Sequence, residues 1–485
     1  MHIDYCAKHS IAIIGGGFAG ALTALKLLDR AEVPLAITII EPREELGRGV
    51  AYSTTEPVHL VNGPAEIFSL YPEEPDHLVR WLAENGAANG WQPPSDIAAS
   101  SPPRYLYGTY VRDELNRAVR EAHSLSTFRH VRSAAAKLIS APHKISITTT
   151  DGTMIEADEA VLALGVFQAE LQKQEAAVAS HFRFAANPWE PAALDRLVDC
   201  GELLLIGSSL SMVDAVAGME ARGYRGKYHV ISRRGQFVEG RRAAEAARDF
   251  LADRPLPATA RALLSAVKAE RRAIATAGGD WQGLPLAIRP YVLPLWQAAN
   301  DRERLRFGRH LRAFWDVTAH RSAPESNGTL QNVIAEGRLT HGAARLLGLV
   351  RRRDRIAATL RTRKGTEEQL FDGVIDCRGH QLHDWRRIRD PFVKSLLDGG
   401  EVHPHSTGFG IDATPEGDII SDEGRIHRNF SAIGHPLRGV AWESSSITEQ
   451  RAQAIALAER ILAKITPAVS VATTLRADAL LKLFS

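Results

Sequence analysis

The segment IAIIGGGFAG, residues 11–20, restricts the fold of this chain more than any other. Four apolar residues suited to a buried strand run into Gly15, Gly17 and Gly20, and the stretch from Ala21 to Arg30 continues with helical spacing. Strand, glycine turn and helix in that order bring free backbone N–H groups and the positive end of a helix dipole to one point, which is a site for a phosphate or pyrophosphate. The first glycine permits the turn, the second admits the pyrophosphate, and the third lets helix and strand pack closely. A second strand, Ala36 to Ile40, ends at Glu41. A carboxylate in that place accepts both ribose hydroxyls of an adenosine and repels a 2′-phosphate. The pattern is that of a βαβ dinucleotide-binding unit.

A second unit of the same kind starts at Leu203. Its parts are the strand Leu203 to Ile206, the loop Gly207-Ser208-Ser209-Leu210-Ser211-Met212, a helix from Val213 to Arg222 and the strand Tyr228 to Ser232. Only the first glycine of the motif survives. Where the first unit has Glu41, the second has Ser232-Arg233-Arg234, and guanidiniums donate bidentately to phosphate oxygens. NADPH is therefore expected on Gly207, Ser208, Ser209, Arg233 and Arg234, although a solvated basic strand end would look the same. With the pyridine nucleotide assigned there, the first loop and Glu41 are left to FAD.

These units define an α/β fold class with two Rossmann-like dinucleotide-binding domains. Residues 1–195 are expected to form the first part of the FAD-binding domain, 196–370 the NADPH-binding domain, and 371–485 the second part of the FAD-binding domain. A helical insertion is expected over about 241–315, a region rich in Ala, Arg and Leu. Residues 42–130 read as loops, PPRYLYGTY at 102–110 among them, with helices at about 76–85 and 109–123. Three short strands follow between Phe128 and Leu164, turning at Asp151-Gly152.

Further candidates for cofactor contact come from these surroundings. Apolar strands end at Gly165 and Gly379, where a glycine lets backbone approach a cofactor or act as a hinge. Gly434 follows another strand, and Ser445 or Ser446 can cap a helix with Glu449 in its first turn. A helix N-terminus there would favour the negative charge of a reduced flavin, and Trp442 in the same stretch joins the cofactor candidates. Asn62, Arg104, Tyr105 and Tyr107 either line the flavin or pack loops. His310, Trp315, His320 and Arg321, in HLRAFWDVTAHRSAP, are polar candidates over a pocket or satisfied structural groups.

The 59 Lys+Arg against 57 Asp+Glu leave a formal charge of +2, so no overall field attracts nucleic acid or a membrane surface. No run approaches the roughly 18 to 20 apolar residues that span a bilayer. Cys6, Cys200 and Cys377 are scattered, which excludes a dithiol motif and metal-ligand spacing, so no metal is expected. The opening MHIDYCAKHS lacks a targeting pattern, and the cytoplasm is the expected compartment. No catalytic acid, base or nucleophile stands out, as fits a chain whose cofactor carries the reaction.

Together IAIIGGGFAG, GRGVAYST with HLVN, PPRYLYGTY, AVLALG, LLLIGSSLSMVD with ISRRG, AFWDVTAHRSAP and AIGHPLRGVAWES resemble, over most of the chain, a family of bacterial FAD/NAD(P)-binding proteins. That family is distantly similar to flavin-dependent N-hydroxylating monooxygenases. The resemblance implies a flavoprotein oxidoreductase with FAD and NADPH as cofactors and a small-molecule substrate with O2 as partners. It implies N-hydroxylation of a small amine or amino acid. Alternatives are a flavin reductase or dehydrogenase without oxygen insertion, and a non-catalytic FAD/NADPH-binding protein, which the degenerate GSSLSM loop keeps open. The fingerprint F-x-G-x-x-x-H-x-x-x-W of Baeyer-Villiger enzymes is missing, while STGF at 406–409 is similar to a TGY or TGF element of N-hydroxylases.

Overall fold

The computed structural model describes residues 8–167, 171, 173–245, 247–252, 255–379 and 383–465. Strand His9–Ile14 lies at the centre of a six-stranded sheet, paired in parallel with Leu35–Ile40 on one side and Glu159–Leu162 on the other. The order across the sheet is Asp418–Ile420, Ile426–Ala432, Glu159–Leu162, His9–Ile14, Leu35–Ile40, Thr127–Val131. Ile11 and Ile13 enter one apolar core with helices Phe18–Arg30, Arg104–Glu121 and Ile447–Ile465, while Ala12 and Ile14 enter another on the opposite face. A strand buried on both faces needs a continuous apolar run, which is why IAII reads as it does.

The second sheet is five-stranded and parallel throughout, in the order Leu339–Ala343, Lys227–Ser232, Glu202–Ile206, Gly373–Asp376, Phe184–Ala185. It takes strands from both sides of the boundaries expected at 195 and 370, because the chain enters and leaves this domain through its own sheet. The strand ending VIDCRG thus belongs to the second nucleotide fold and pairs with Glu202–Ile206, as the strand ending AVLALG pairs with His9–Ile14 in the first. Two small antiparallel sheets, 135–157 and 345–371, complete the strands. The region from Phe128 to Leu164 accordingly holds parts of five strands rather than three.

Two helical expectations are corrected. PPRYLYGTY is no loop: Pro103 immediately precedes a helix running from Arg104 to Glu121. Its Leu106, Tyr107, Tyr110, Val111, Leu115 and Ala118 are buried at helical spacing, and Gly108 admits the turn at Arg48 to Tyr52, whose Tyr52 Cβ would lie 2.9 Å from an added Cβ. The helices of the insertion run from Ala260 to Ala319, so its start lies later than the expected 241 and its end close to the expected 315, while helix Pro324–Ala335 packs with Leu330 and Val333 in the core of the second nucleotide domain. Pro255 and Pro257 hold the preceding chain out of helix, and the Thr259 side chain caps the first helix by accepting the Ala262 N–H. Between helices Asp301–Arg306 and Arg312–Ala319 lies a π-helical turn, Phe307–Leu311. Such turns recur at functional sites.

The two nucleotide domains are tied together by buried ions. Arg104 sits 3.0 Å from Asp214, both nearly inaccessible, and Trp189 donates its indole N–H to the same carboxylate. Arg222 pairs bidentately with Glu56. The helical insertion lies against the second part of the first domain, where Trp296 donates to the Gly439 carbonyl and Ser406 to Asp301.

Candidate functional site

At the first loop, Gly15 has φ 104°, and an added Cβ would stand 2.6 Å from the Ala163 carbonyl oxygen. A Cβ on Gly20 would lie 1.9 Å from the Gly15 oxygen, so helix and loop touch through that glycine. Gly17 opens helix Phe18–Arg30 with no side chain over its free N–H groups. Glu41 is buried beside them and accepts the Gly16 N–H at 3.0 Å and the Arg43 N–H at 3.1 Å. The strand before Gly165 brings Ala163 against the glycine turn.

The second loop repeats the turn but not the helix contact. Gly207 has φ 114°, with Cys377 O 2.4 Å from where its Cβ would be. Ser208 donates to the Gln236 carbonyl, and Ser209 opens helix Leu210–Ala221 without a side-chain cap. At the strand end Arg234 is spent on the carbonyls of Arg309 and His310 and lies over the Phe314 ring. Arg233 is exposed and makes no ion pair among the described residues, and the buried Ser232 Oγ has no partner. Gly379, two residues past Cys377, has φ 83°.

Other candidates lie elsewhere. Tyr107 is wholly buried among Phe18, Tyr52, Phe68 and Tyr110, donating to the Phe68 carbonyl. Arg104 bridges to Asp214, and Asn62 offers its carbonyl to Arg241. Arg321 donates to the Gln282 carbonyl, and His310 meets Arg234 only through its own carbonyl.

The densest polar arrangement lies along 434–446, where helical insertion and first domain meet. Gly434 packs on Ala19 at the start of the first helix, and the Glu449 N–H donates to Ser446 Oγ, which caps the last helix. His435 Nδ1, Trp442 Nε1 and Ser444 Oγ are buried with no hydrogen-bond partner. An orphaned buried polar atom costs about 1–3 kcal/mol, so three within one short segment fit a polar ligand that satisfies them. These donors and the capped helix end suit the polar edge of a flavin, while the first glycine loop and Glu41 suit its adenosine diphosphate.

Next to them Trp315 donates to Glu443 at 2.6 Å, and His320 Nε2 lies 3.6 Å from the other Glu443 oxygen. Burial disfavours the charged His320, but the adjacent Glu443 carboxylate outweighs it and raises its pKa. For Glu443 burial is likewise outweighed by His320 and Trp315, and its pKa falls. Arg312 and Arg438 both donate to His383 Nε2, at 3.3 and 3.2 Å. Burial and these two guanidiniums keep His383 neutral. Burial, then Arg312, lowers Arg438 to about 10.

Of this group, Trp315, His320 and Trp442 were legible as candidates. Arg312, Arg438 and Glu443 were not singled out, although all three stand in the quoted segments HLRAFWDVTAH and GHPLRGVAWES. Nothing around His383 marks it.

Fold and loops define a protein with two dinucleotide-binding domains, the first for FAD/NAD(P). Residues 12–167 match a family model described as FAD-NAD(P)-binding. An uncharacterized protein of Escherichia coli K12, YdhS, is 28% identical over 220 residues, which is 42% of this chain and 38% of that protein's length. Among solved structures, the ornithine N-hydroxylase of Kutzneria sp. 744, with reduced FAD, NADP+ and L-ornithine, is 14% identical with a TM-score of 0.62 over 94% of this chain and 100% of that one. The L-lysine 6-monooxygenase of Pseudomonas syringae is 15% identical, TM-score 0.60, over 95% and 100%. The bacillithiol disulfide reductase of Bacillus cereus is 12% identical, TM-score 0.52, over 94% and 100%. At these identities the shared property is the fold.

No helix of the described residues is long and apolar enough to cross a membrane, and no cluster of His, Cys, Asp and Glu among them could hold a metal.

Proposed function

We propose that this chain is an NADPH-dependent flavin monooxygenase that oxygenates the nitrogen of a small amine or amino acid. The observation that carries the reading is the cluster of Arg312, Trp315, His320, His383, Arg438, Trp442 and Glu443, built where the helical insertion meets the segment suited to the flavin. The first glycine loop with Glu41 and the segment 434–446 would hold FAD, whose chemistry when bound would be hydride acceptance from NADPH and activation of O2. The chain's own residues bind, orient and exclude water. Arg233 and Ser232 would hold the 2′-phosphate of NADPH. Trp296, Phe307 and Trp442, in mutual ring contact, keep bulk water from the site. The Glu443 carboxylate, 3.6 Å away, favours the protonated form of His320 at this site.

The similarity to disulfide reductases favours one rival, a reductase that inserts no oxygen. Against it, Cys200 and Cys377 are both buried, and burial raises the first thiol to about 11 and the second well above its usual value. Neither presents a thiolate. The test supplies the FAD-loaded protein with NADPH, isotopically labelled O2 and a panel of amines and amino acids, with products read by mass spectrometry. A product carrying one labelled oxygen on nitrogen is expected. Hydrogen peroxide as the sole oxygen product across the panel would sink the reading, and rapid turnover with artificial acceptors alone would favour the reductase.

A further inference from the structure

Two arginines, Arg241 and Arg321, lie outside the cluster around Glu443 and have no acid to meet. The chain segments that carry them run side by side. Ser322 donates to the Glu239 carbonyl at 3.1 Å, Arg241 donates its backbone N–H to the Ser322 carbonyl at 2.9 Å, and Gly240 pairs with Ser322 in parallel. In that register Gly240 and Ser322 share one face, so Arg241 and Arg321 both stand on the other. Gln282 fixes the arrangement: it donates to the Gly240 carbonyl, accepts the Arg242 N–H, and offers its own carbonyl to Arg321 at 3.0 Å.

Arg321 is only 4% exposed, and its Nε–H is buried with no partner. Half-buried Arg241 reaches from the second nucleotide domain to the Asn62 carbonyl of the first, 3.3 Å away, and its Nε–H is likewise buried and unpartnered. Neither forms an ion pair among the described residues, since Glu239 and Asp280, the acids of this neighbourhood, are both bound by Arg242. The cation that Arg241 does feel is Arg289, held by Thr448 and 3.6 Å from Glu449 in the first turn of the last helix. Burial, then the charge of Arg241, lowers Arg321 to about 10.

Burying a guanidinium without a counter-ion is costly, and two together repel each other as well. A neutral donor would serve the Asn62 and Gln282 carbonyls equally well, so those bonds leave both charges unexplained. The place is equally specific. Ser208 of the second glycine loop is bonded to Gln236 and Val238, and the chain leads from there to Arg241 at the junction with the first domain. Under the reading above, the phosphates of NADPH have their places on Gly207, Ser209 and Arg233, so this pair is left for another anion. The planar fork of a guanidinium with a free Nε–H matches a carboxylate.

Resting on the N-oxygenation reading above, we propose that Arg241 and Arg321 form a carboxylate-binding site at the junction of the two nucleotide domains, and that the amine substrate carries a carboxylate which they hold. A simple amine would leave both guanidiniums unpaired.

The test uses the full chain loaded with FAD and reads flavin absorbance and thermal midpoint during titration with four amino acids, each against the amine left by its decarboxylation: L-leucine and isopentylamine, L-phenylalanine and phenethylamine, L-lysine and cadaverine, L-serine and ethanolamine. At least one amino acid should bind about tenfold or more tightly than its amine, as expected for a charge-assisted pair, and acetate should compete with it. Arg241→Gln should reduce that ratio to below about threefold while the flavin is retained, and Arg241→Lys should restore part of it, which a merely structural loss would not. Arg321→Gln should act in the same direction.

Four amino acids that bind no better than their amines, no competition by acetate, or an Arg241→Gln variant that keeps the parent ratio each overturn the proposal. So does an Arg241→Gln variant that weakens NADP+ by the same factor as the amino acid, since the pair then serves the pyridine nucleotide. A preference that depends on Arg241 without any oxygenated product supports this site and overturns only the reaction proposed above. Oxygenated products formed from the amines as readily as from the amino acids overturn this site and leave the reaction standing.

Discussion

The two nucleotide folds of this chain share a turn and differ in everything around it. Gly15 and Gly207 both sit at positive φ with a neighbouring strand's carbonyl oxygen where a Cβ would be, Ala163 in one case and Cys377 in the other. That requirement is mechanical: strand, turn and helix cannot be joined otherwise, whatever is bound. The third position separates the folds. Gly20 brings its helix onto the loop, whereas its counterpart Met212 is wholly buried in its own domain's core. Under the proposed function, the acid–base contrast of Glu41 and Arg233 at the strand ends would select the ribose. The glycine that recurs marks the fold, and the residues that differ mark the ligand.

If so, the third position should break the first fold and spare the second. Gly20→Val forces a side chain into the Gly15 carbonyl and should leave no bound flavin, read as the ratio of flavin to protein absorbance after purification. Met212→Leu should retain flavin. A flavin-replete Gly20→Val protein would remove helix contact as the reason for that glycine. Next in size is the tie between the folds. Arg104→Ala leaves Asp214 buried without its partner and should cost about 3–5 kcal/mol in denaturant unfolding, with the Arg104→Met, Asp214→Leu double variant recovering much of the loss. A cost under about 1 kcal/mol would mean that the domains do not depend on this pair.

The same comparison explains what was legible in the sequence. IAIIGGGFAG and LLLIGSS announce both folds because a buried parallel strand and a tight turn leave apolar runs and glycines at fixed spacing. The helix at Arg104 was hidden by its own composition: Pro103, Gly108 and three tyrosines suggest a loop, although Tyr107, Tyr110, Val111 and Leu115 repeat at helical spacing. The start of the insertion was misplaced because Ala and Arg suit helices, while the local prolines 255 and 257 decide where helix begins. The site was harder still. Arg312, His383, Arg438 and Glu443 meet only through tertiary contacts between segments far apart in the chain. No local pattern records such a meeting.

Arg233 and Arg234 look equivalent in sequence and are not equivalent in space, which sharpens the contrast at the second strand end. Arg233→Ala should weaken NADPH by about tenfold or more and leave NADH nearly unchanged, the loss expected for a charge-assisted phosphate contact. Arg234→Ala should affect the two nucleotides alike and modestly, since its guanidinium is held by the Arg309 and His310 carbonyls. The check is the dependence of flavin reduction rate on each nucleotide under anaerobic conditions. Equal discrimination by both variants would return the pair to the status of a solvated strand end.

The smallest expected effect concerns a pair that neither nucleotide fold contains, His320 and Glu443. His320 has its pKa raised in the folded chain, so its contribution to stability is complete below its ordinary value of 6.5 and is lost as pH rises through the folded value. Glu443 has its pKa lowered, so its contribution is complete above its ordinary value of 4.5 and is lost as pH falls through the folded value. Between about pH 4.5 and 6.5 the pair is intact, and the loss near neutrality belongs to the histidine. Because His320 is 37% exposed, solvent screens the pair and the effect should be a few tenths to about 1 kcal/mol. A thermal midpoint that declines as pH rises above about 6.5 is expected for the parent chain. In Glu443→Gln burial acts on His320 without its counter-charge, so that decline should vanish. An equal decline in both proteins would assign the titration to another group and leave Glu443 as a hydrogen-bond acceptor for Trp315.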